Sequence, residues 1–165
     1  MGDVELVPGM EAPAFEALAI GGPYGPEGAR VRLADFRGVT VVLYFYPKDD
    51  TPGCTAQACS MRDRWEHLKR PDTVFFGVSV DSPESHRKFI GKYGLPFPIL
   101  SDEAKSVVTA YGVWVEKSMY GKTFLGTERS TFVIRPDGRI KSVFRRVKPD
   151  AHTDILLKDL ANFEP

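Results

Sequence analysis

The chain has 165 residues and a mass of 18.4 kDa, the size of one globular domain. Lys plus Arg and Asp plus Glu number 22 each, so the formal net charge is zero, which argues against capture of nucleic acid or an anionic membrane. With 42% hydrophobic and 27% charged residues, the composition is that of a packed soluble domain and not of a disordered segment.

In chain order, Gly21–Gly28 is dense in Gly and Pro and reads as a surface loop or hairpin end, and Val31–Leu33 as a short strand. Val39–Tyr46 is β-branched, aromatic and uncharged, as a strand covered on both faces should be. It is the longest clean apolar stretch and falls far short of the ~20 residues a membrane helix needs. Pro47 ends it, and the turn-rich Lys48–Gly53 leads into a helix expected from about Cys54 to Lys69, with Ala58, Met61, Trp65 and Leu68 on one face. A second buried strand follows at Thr73–Val80. Ser82-Pro83 starts a helix that runs to about Lys92 before Gly94. Phe97–Leu100 is a short strand, and Ser101 or Asp102 caps a helix through Ala110. Strands at Thr131–Ile134 and Arg139–Val147 flank the turn Arg135-Pro136-Asp137-Gly138, and a helix over Asp150–Asn162 follows. Strand–helix alternation followed by a hairpin predicts one α/β domain over the whole chain, with a mixed central sheet and helices on both faces. That order resembles a thioredoxin-like arrangement.

The N-terminal Met1-Gly2-Asp3-Val4-Glu5 has no apolar core of a signal peptide, and Leu6 stands where a myristoylation motif needs Ser or Thr. A cytoplasmic location is therefore expected. In a reducing compartment the two cysteines, Cys54 and Cys59, are read as catalytic or metal-binding rather than as a permanent staple. His67, His86 and His152 are scattered, and no second Cys or His pair exists, which leaves zinc without a ligand set.

Cys54 falls where a loop leaving a central strand enters a helix. The unpaired N–H groups and the positive dipole end at that point favour thiolate over thiol. Cys54 is thus placed as a nucleophile. Cys59 by itself reads equally well as a small residue buried beside Ala58. If both cysteines sit in one helix, their Cα atoms are roughly 8–9 Å apart and their side chains about 140° apart around the axis. A disulfide tolerates at most ~7 Å. The pair can bond only if the first turn or two of the helix unwinds. Thr51 can set its hydroxyl over the helix N-terminus beside the sulfur, or serve as an ordinary N-cap. Arg129 is, on spacing alone, a charged residue at a strand start.

Pro47-x-x-x-Thr51-x-x-Cys54 resembles the active-site signature of the peroxiredoxins. The longer run Tyr44–Thr55, with Cys59 five residues past Cys54, is similar to the peroxiredoxin Q, or bacterioferritin comigratory protein, branch. The likeness continues through Val80–His86, Tyr93–Pro98, Met119–Lys122 and Arg129–Phe132, nearly the whole chain. It implies a peroxidase for hydrogen peroxide and organic hydroperoxides. Cys54 would become a sulfenic acid. Thr51 and Arg129 would hydrogen-bond peroxide and sulfur, and Pro47 would shield the site. Cys59 would close an intramolecular disulfide that a thioredoxin-type reductant reopens. The resemblance implies no metal, haem, flavin or selenium cofactor, and a monomer. The Gly21–Gly28 insert is longer than the turn usual in the branch.

Two other readings compete. A thioredoxin-like disulfide oxidoreductase without peroxidase activity shares the helix-terminal Cys but wants Cys-x-x-Cys, and four residues intervene here. A non-enzymatic binding or chaperone domain has no need of Thr51, Cys54 and Arg129 together.

Overall fold

The computed structural model describes residues 5–161. Met1–Val4 and Asn162, which figure in the readings of the N-terminus and the final helix, lie outside the described residues. Strands β1 (Glu16–Ile20) and β2 (Ala29–Arg32) form a hairpin whose end is the Gly21–Gly28 loop. β3 (Thr40–Phe45) leads to α1 (Pro52–Asp63) and the single turn α2 (Trp65–Leu68). Then come β4 (Thr73–Ser79), α3 (Pro83–Tyr93), β5 (Ile99–Ser101) and α4 (Ser106–Ala110). β6 (Trp114–Met119) and β7 (Lys122–Thr127) pair with each other in a separate ribbon. β8 (Ser130–Ile134), β9 (Ile140–Phe144) and α5 (His152–Ala161) follow.

The main sheet has the order β2-β1-β5-β4-β3-β8-β9. β3, β4 and β5 run parallel, while β8 lies antiparallel against β3 and β9 against β8. The mixed sheet expected from the element order is therefore present. β3 sits near its middle, and all six of its residues are buried. Alternate side chains of a strand point to opposite faces. Val42 and Tyr44 pack with Ala58 and Met61 of α1 and Leu156 and Leu160 of α5, whereas Val41, Leu43 and Phe45 pack with Val107 and Val108 of α4. Helices thus cover both faces. Each large side chain buried this way contributes about 1.5–3 kcal/mol relative to exposure.

The structure departs from the sequence reading at several elements. The helix read from Cys54 to Lys69 begins two residues earlier, because Pro52 suits the first helical position, and it breaks at Arg64. Past the break Trp65 turns onto Phe75 and Phe97, with ring centroids 5.0 and 5.8 Å away. The strand read at Val31–Leu33 is centred earlier, and Leu33 opens a 3-10 turn. The helix after β5 begins only at Ser106 with Lys105 in the N-cap position, so neither Ser101 nor Asp102 is its N-cap residue; the Asp102 carboxylate instead reaches forward to accept from Val107 N–H and Val108 N–H at 3.1 and 2.8 Å. The strand read to Val147 ends at Phe144, shortly before Arg146 adopts a left-handed φ of 53°. β1 and the β6–β7 ribbon are additions to the sequence reading.

Candidate active site

The site forms at the carboxyl end of β3. The chain leaves Tyr46, turns through Pro47-Lys48-Asp49-Asp50-Thr51 and enters α1. Thr55 is the first residue to bond back into the helix, its N–H donating to Thr51 O at 2.8 Å. Cys54 is therefore in the first turn, where N–H groups have no intrahelical acceptor. Its side chain is only 2% exposed and packs with Tyr44, Tyr46, Ala58 and Met61.

Arg129 reaches the same point from β8. Antiparallel pairing sets Ser130 opposite Phe45, so the residue before Ser130 stands beside the loop. The guanidinium Nη2 donates to Cys54 Sγ at 3.5 Å and Nη1 donates to Gln57 Oε1 at 2.5 Å. One planar fork thus bridges the thiol and a fully buried amide one helical turn on. Gly53 makes room for it, since a Cβ there would stand 3.2 Å from Arg129 Nη2.

The other expected residues fall around this core. Pro47 is half-buried at the start of the loop. Thr51 occupies the N-cap position of α1, as the N-cap alternative expects, but its side chain caps no N–H of the helix; its hydroxyl donates to Lys48 O at 2.8 Å. That geometry leaves the hydroxyl lone pairs free to accept. Cys59 also lies in α1, but on the outer side. It is half-buried and lines a surface cleft of about 460 Å³ with Asp50, Thr51, Thr55 and Tyr93. It is therefore not the inward small residue beside Ala58. Both cysteines are free thiols within an intact helix.

Several neighbours escaped the sequence reading. Gln57 had a usable signal, the i,i+3 spacing that puts it on the face of Cys54. Tyr44 is neutral, its pKa held well above the usual value by burial first and then by Cys54. His152 hydrogen-bonds Thr131 Oγ1 at 2.8 Å and meets the Tyr44 ring at a tilt, with centroids 5.4 Å apart. Burial, reinforced by Arg129, lowers its pKa to about 3, so it too is neutral. Lys117 crosses the ribbon over Gly126, whose added Cβ would stand 3.2 Å from Lys117 Cδ. Burial and then Arg129 lower its pKa, against the opposing pull of Cys54 and Glu128. Nothing in their local sequence marks Lys117 or His152, which tertiary packing brings to the site.

The AhpC/TSA family pattern matches residues 8–143. The chain belongs to the AhpC/TSA family, among the peroxiredoxins. This peroxiredoxin is 43% identical to peroxiredoxin Bcp of Bacillus subtilis over 152 residues, 92% of this chain and 93% of the relative. It is 48% identical to a putative peroxiredoxin bcp of Coxiella burnetii over 126 residues, 76% and 83% of the two chains. Among solved structures, the bacterioferritin comigratory protein of Xanthomonas campestris superposes with a TM-score of 0.82 at 34% identity, covering 94% of this chain and 98% of that one. A cysteine-to-serine variant of PrxQ from Xylella fastidiosa gives 0.85 at 31% identity, covering 96% and 97%. The thioredoxin-like fold and a thiol-dependent peroxidase activity follow for this peroxiredoxin. The alternative of an oxidoreductase without peroxidase activity gives way.

Proposed function

We propose that Cys54 is the attacking thiol, Cys59 the resolving thiol, and Thr51, Arg129 and Pro47 the groups that prepare the first step. The observation that carries this reading is Arg129 Nη2 at 3.5 Å from Cys54 Sγ, in a fork held by Gln57. A guanidinium there stabilises the thiolate and then the charge developing on the departing oxygen. In the first step the thiolate displaces one peroxide oxygen. The O–O bond breaks with its electron pair on the leaving oxygen, which takes a proton from solvent, and Cys54 becomes a sulfenic acid. Thr51 Oγ1, whose proton goes to Lys48 O, accepts from the peroxide hydroxyl. Pro47 carries no N–H and screens the sulfur from water. In the second step α1 unwinds, Cys59 sulfur attacks Cys54 sulfur, and the sulfenic oxygen leaves as water. A thioredoxin-type dithiol then reduces the disulfide by exchange and is itself oxidised.

Organic hydroperoxides belong with hydrogen peroxide as substrates, in keeping with the alkyl peroxide reduction activity of the Xanthomonas campestris relative. A disulfide closed within one helix needs no second chain, so the working unit is a monomer. The balanced charge fits a cytoplasmic protein, and among the described residues no helix is long and apolar enough to cross a membrane.

Intact mass after one equivalent of hydrogen peroxide with dimedone present tests the assignment. The native chain should lose two hydrogens, and Cys59→Ser should instead carry one dimedone adduct on Cys54. An adduct on Cys59, or a native chain that stays reduced while a control peroxidase turns over, would overturn it.

A further inference from the structure

The loop between β3 and α1 is fixed by two successive carboxylates that the two chemical steps do not use. Asp49 turns inward and is 7% exposed. Its Oδ1 accepts from the Tyr46 hydroxyl at 2.5 Å. Its Oδ2 accepts from the Ser85 hydroxyl at 2.8 Å and lies 2.7 Å from His86 Nδ1, a ring with no solvent exposure. The Asp49 N–H donates to Asp81 Oδ2 at 2.8 Å, an oxygen that also accepts from the Ser79 hydroxyl. Asp50 turns outward with a left-handed φ of 56° and accepts from Lys92 Nζ at 2.8 Å and the Tyr93 hydroxyl at 2.6 Å. Ser85, His86, Lys92 and Tyr93 all belong to α3, whose own first turn is capped by Ser82. The loop up to residue 50 is therefore bolted to α3 and to the ends of the strands, not to α1.

The bolting stops there. Thr51 gives α1 no side-chain cap, Pro52 has no N–H to bond with, and the two thiols lie three and eight residues past Thr51. Opening the first two turns of α1 gives up the packing of Cys54, Gln57 and Ala58 and the Arg129 contacts, but it leaves no buried carboxylate without partners. Releasing Asp49 would instead strip a buried carboxylate of its partners, which is far more costly. The cheaper opening runs from residue 51 onward.

We propose that Asp49, with Tyr46, Ser85 and His86, is a positioning anchor with two consequences for the reaction. It holds Thr51 and the start of α1 in place for attack on peroxide, and it is the boundary at which unwinding halts when Cys54 joins Cys59. The second consequence rests on the pairing of those cysteines proposed above.

Hydrogen exchange of the native chain, reduced and after oxidation with diamide, tests the boundary without using peroxide. Peptides over residues 46–50 should keep the protection of the reduced form, while those over 52–60 lose it. Loss of protection over 46–50 as well would overturn the anchor alone. Failure of diamide to close an intrachain disulfide would remove both the anchor's boundary role and the cysteine pairing. Separate rates of the two steps in Asp49→Asn and Ser85→Ala test the positioning. In Asp49→Asn, Cys54 oxidation by hydrogen peroxide should fall at least tenfold while disulfide closure is unchanged or faster. Ser85→Ala should shift the two rates in the same senses by less, and it decides the matter if Asp49→Asn does not fold. Two rates that fall in proportion, or neither moving, would reduce the cluster to a structural role.

Discussion

At the level of single residues, the site depends on one guanidinium doing two things. Arg129 touches Cys54 Sγ with one nitrogen and Gln57 with another, and only a planar fork can keep both contacts. Gly53 permits the approach. Gly53→Ala would set a Cβ 3.2 Å from Nη2 and 3.5 Å from Pro149 Cγ, in a helical backbone that accepts alanine. Helix propensity then favours the variant by up to about 1 kcal/mol, while the guanidinium is pushed off the sulfur. The expected outcome is an unchanged or higher melting temperature with Cys54 oxidation slowed about tenfold, in the range of a weakened transition-state hydrogen bond. Equal oxidation rates in stopped-flow would show that the 3.5 Å contact is not used. Cys54 was legible from local chemistry, because a thiol at a strand–loop–helix junction has a physical meaning there. Arg129 was legible only by resemblance: its partner lies 75 residues away, and no local pattern encodes such a pairing.

At the level of elements, α1 is the part that the proposed Cys54–Cys59 disulfide would unwind, and its composition is poor for a helix. Thr55 sits in its second turn with a buried hydroxyl that finds no hydrogen-bond partner. Thr55→Ala removes that orphan and a β-branched residue, which should stabilise the wound helix by about 1 kcal/mol. If unwinding gates the second step, closure of the Cys54–Cys59 disulfide slows about fivefold and peroxide attack keeps its rate. Equal closure rates in rapid-quench mass measurements would mean that another event is limiting. Local pattern against tertiary pairing decides which elements were legible. β3 announced itself through an uninterrupted apolar run, and α3 through Ser82-Pro83. β1 did not, because Glu16-Ala17-Leu18-Ala19-Ile20 is built mainly of helix formers and becomes a strand by pairing with β2 and β5. The β6–β7 ribbon was missed because its solvent-facing residues carry little apolar alternation. Its signal was the Tyr120-Gly121 pair, whose φ values of 53° and 76° make a tight hairpin turn.

Across the whole molecule, stability carries a pH signature from His152. This imidazole is buried, and its pKa falls from 6.5 to about 3, chiefly by burial. The unfolded chain takes up the proton first as pH drops. The stabilisation is thus complete above about pH 6.5 and is progressively lost toward pH 3, at about 1.4 kcal/mol per unit of pKa difference. Urea unfolding should show a midpoint that declines between about pH 7 and pH 5. His152→Gln, which keeps a partner for Thr131 Oγ1, should flatten that decline. Identical slopes in the two proteins would assign the acid sensitivity to other groups.

The antiparallel seating of β8 against β3 also has a consequence in time. At synthesis rates of roughly 5–20 residues per second, Cys54 leaves the ribosome several seconds before Arg129, 75 residues behind it. During that interval the thiol lacks the guanidinium that equips it. With the roles proposed for Cys54 and Arg129, a nascent or truncated chain would be a poor target for peroxide, its cysteine armed only once β8 has docked.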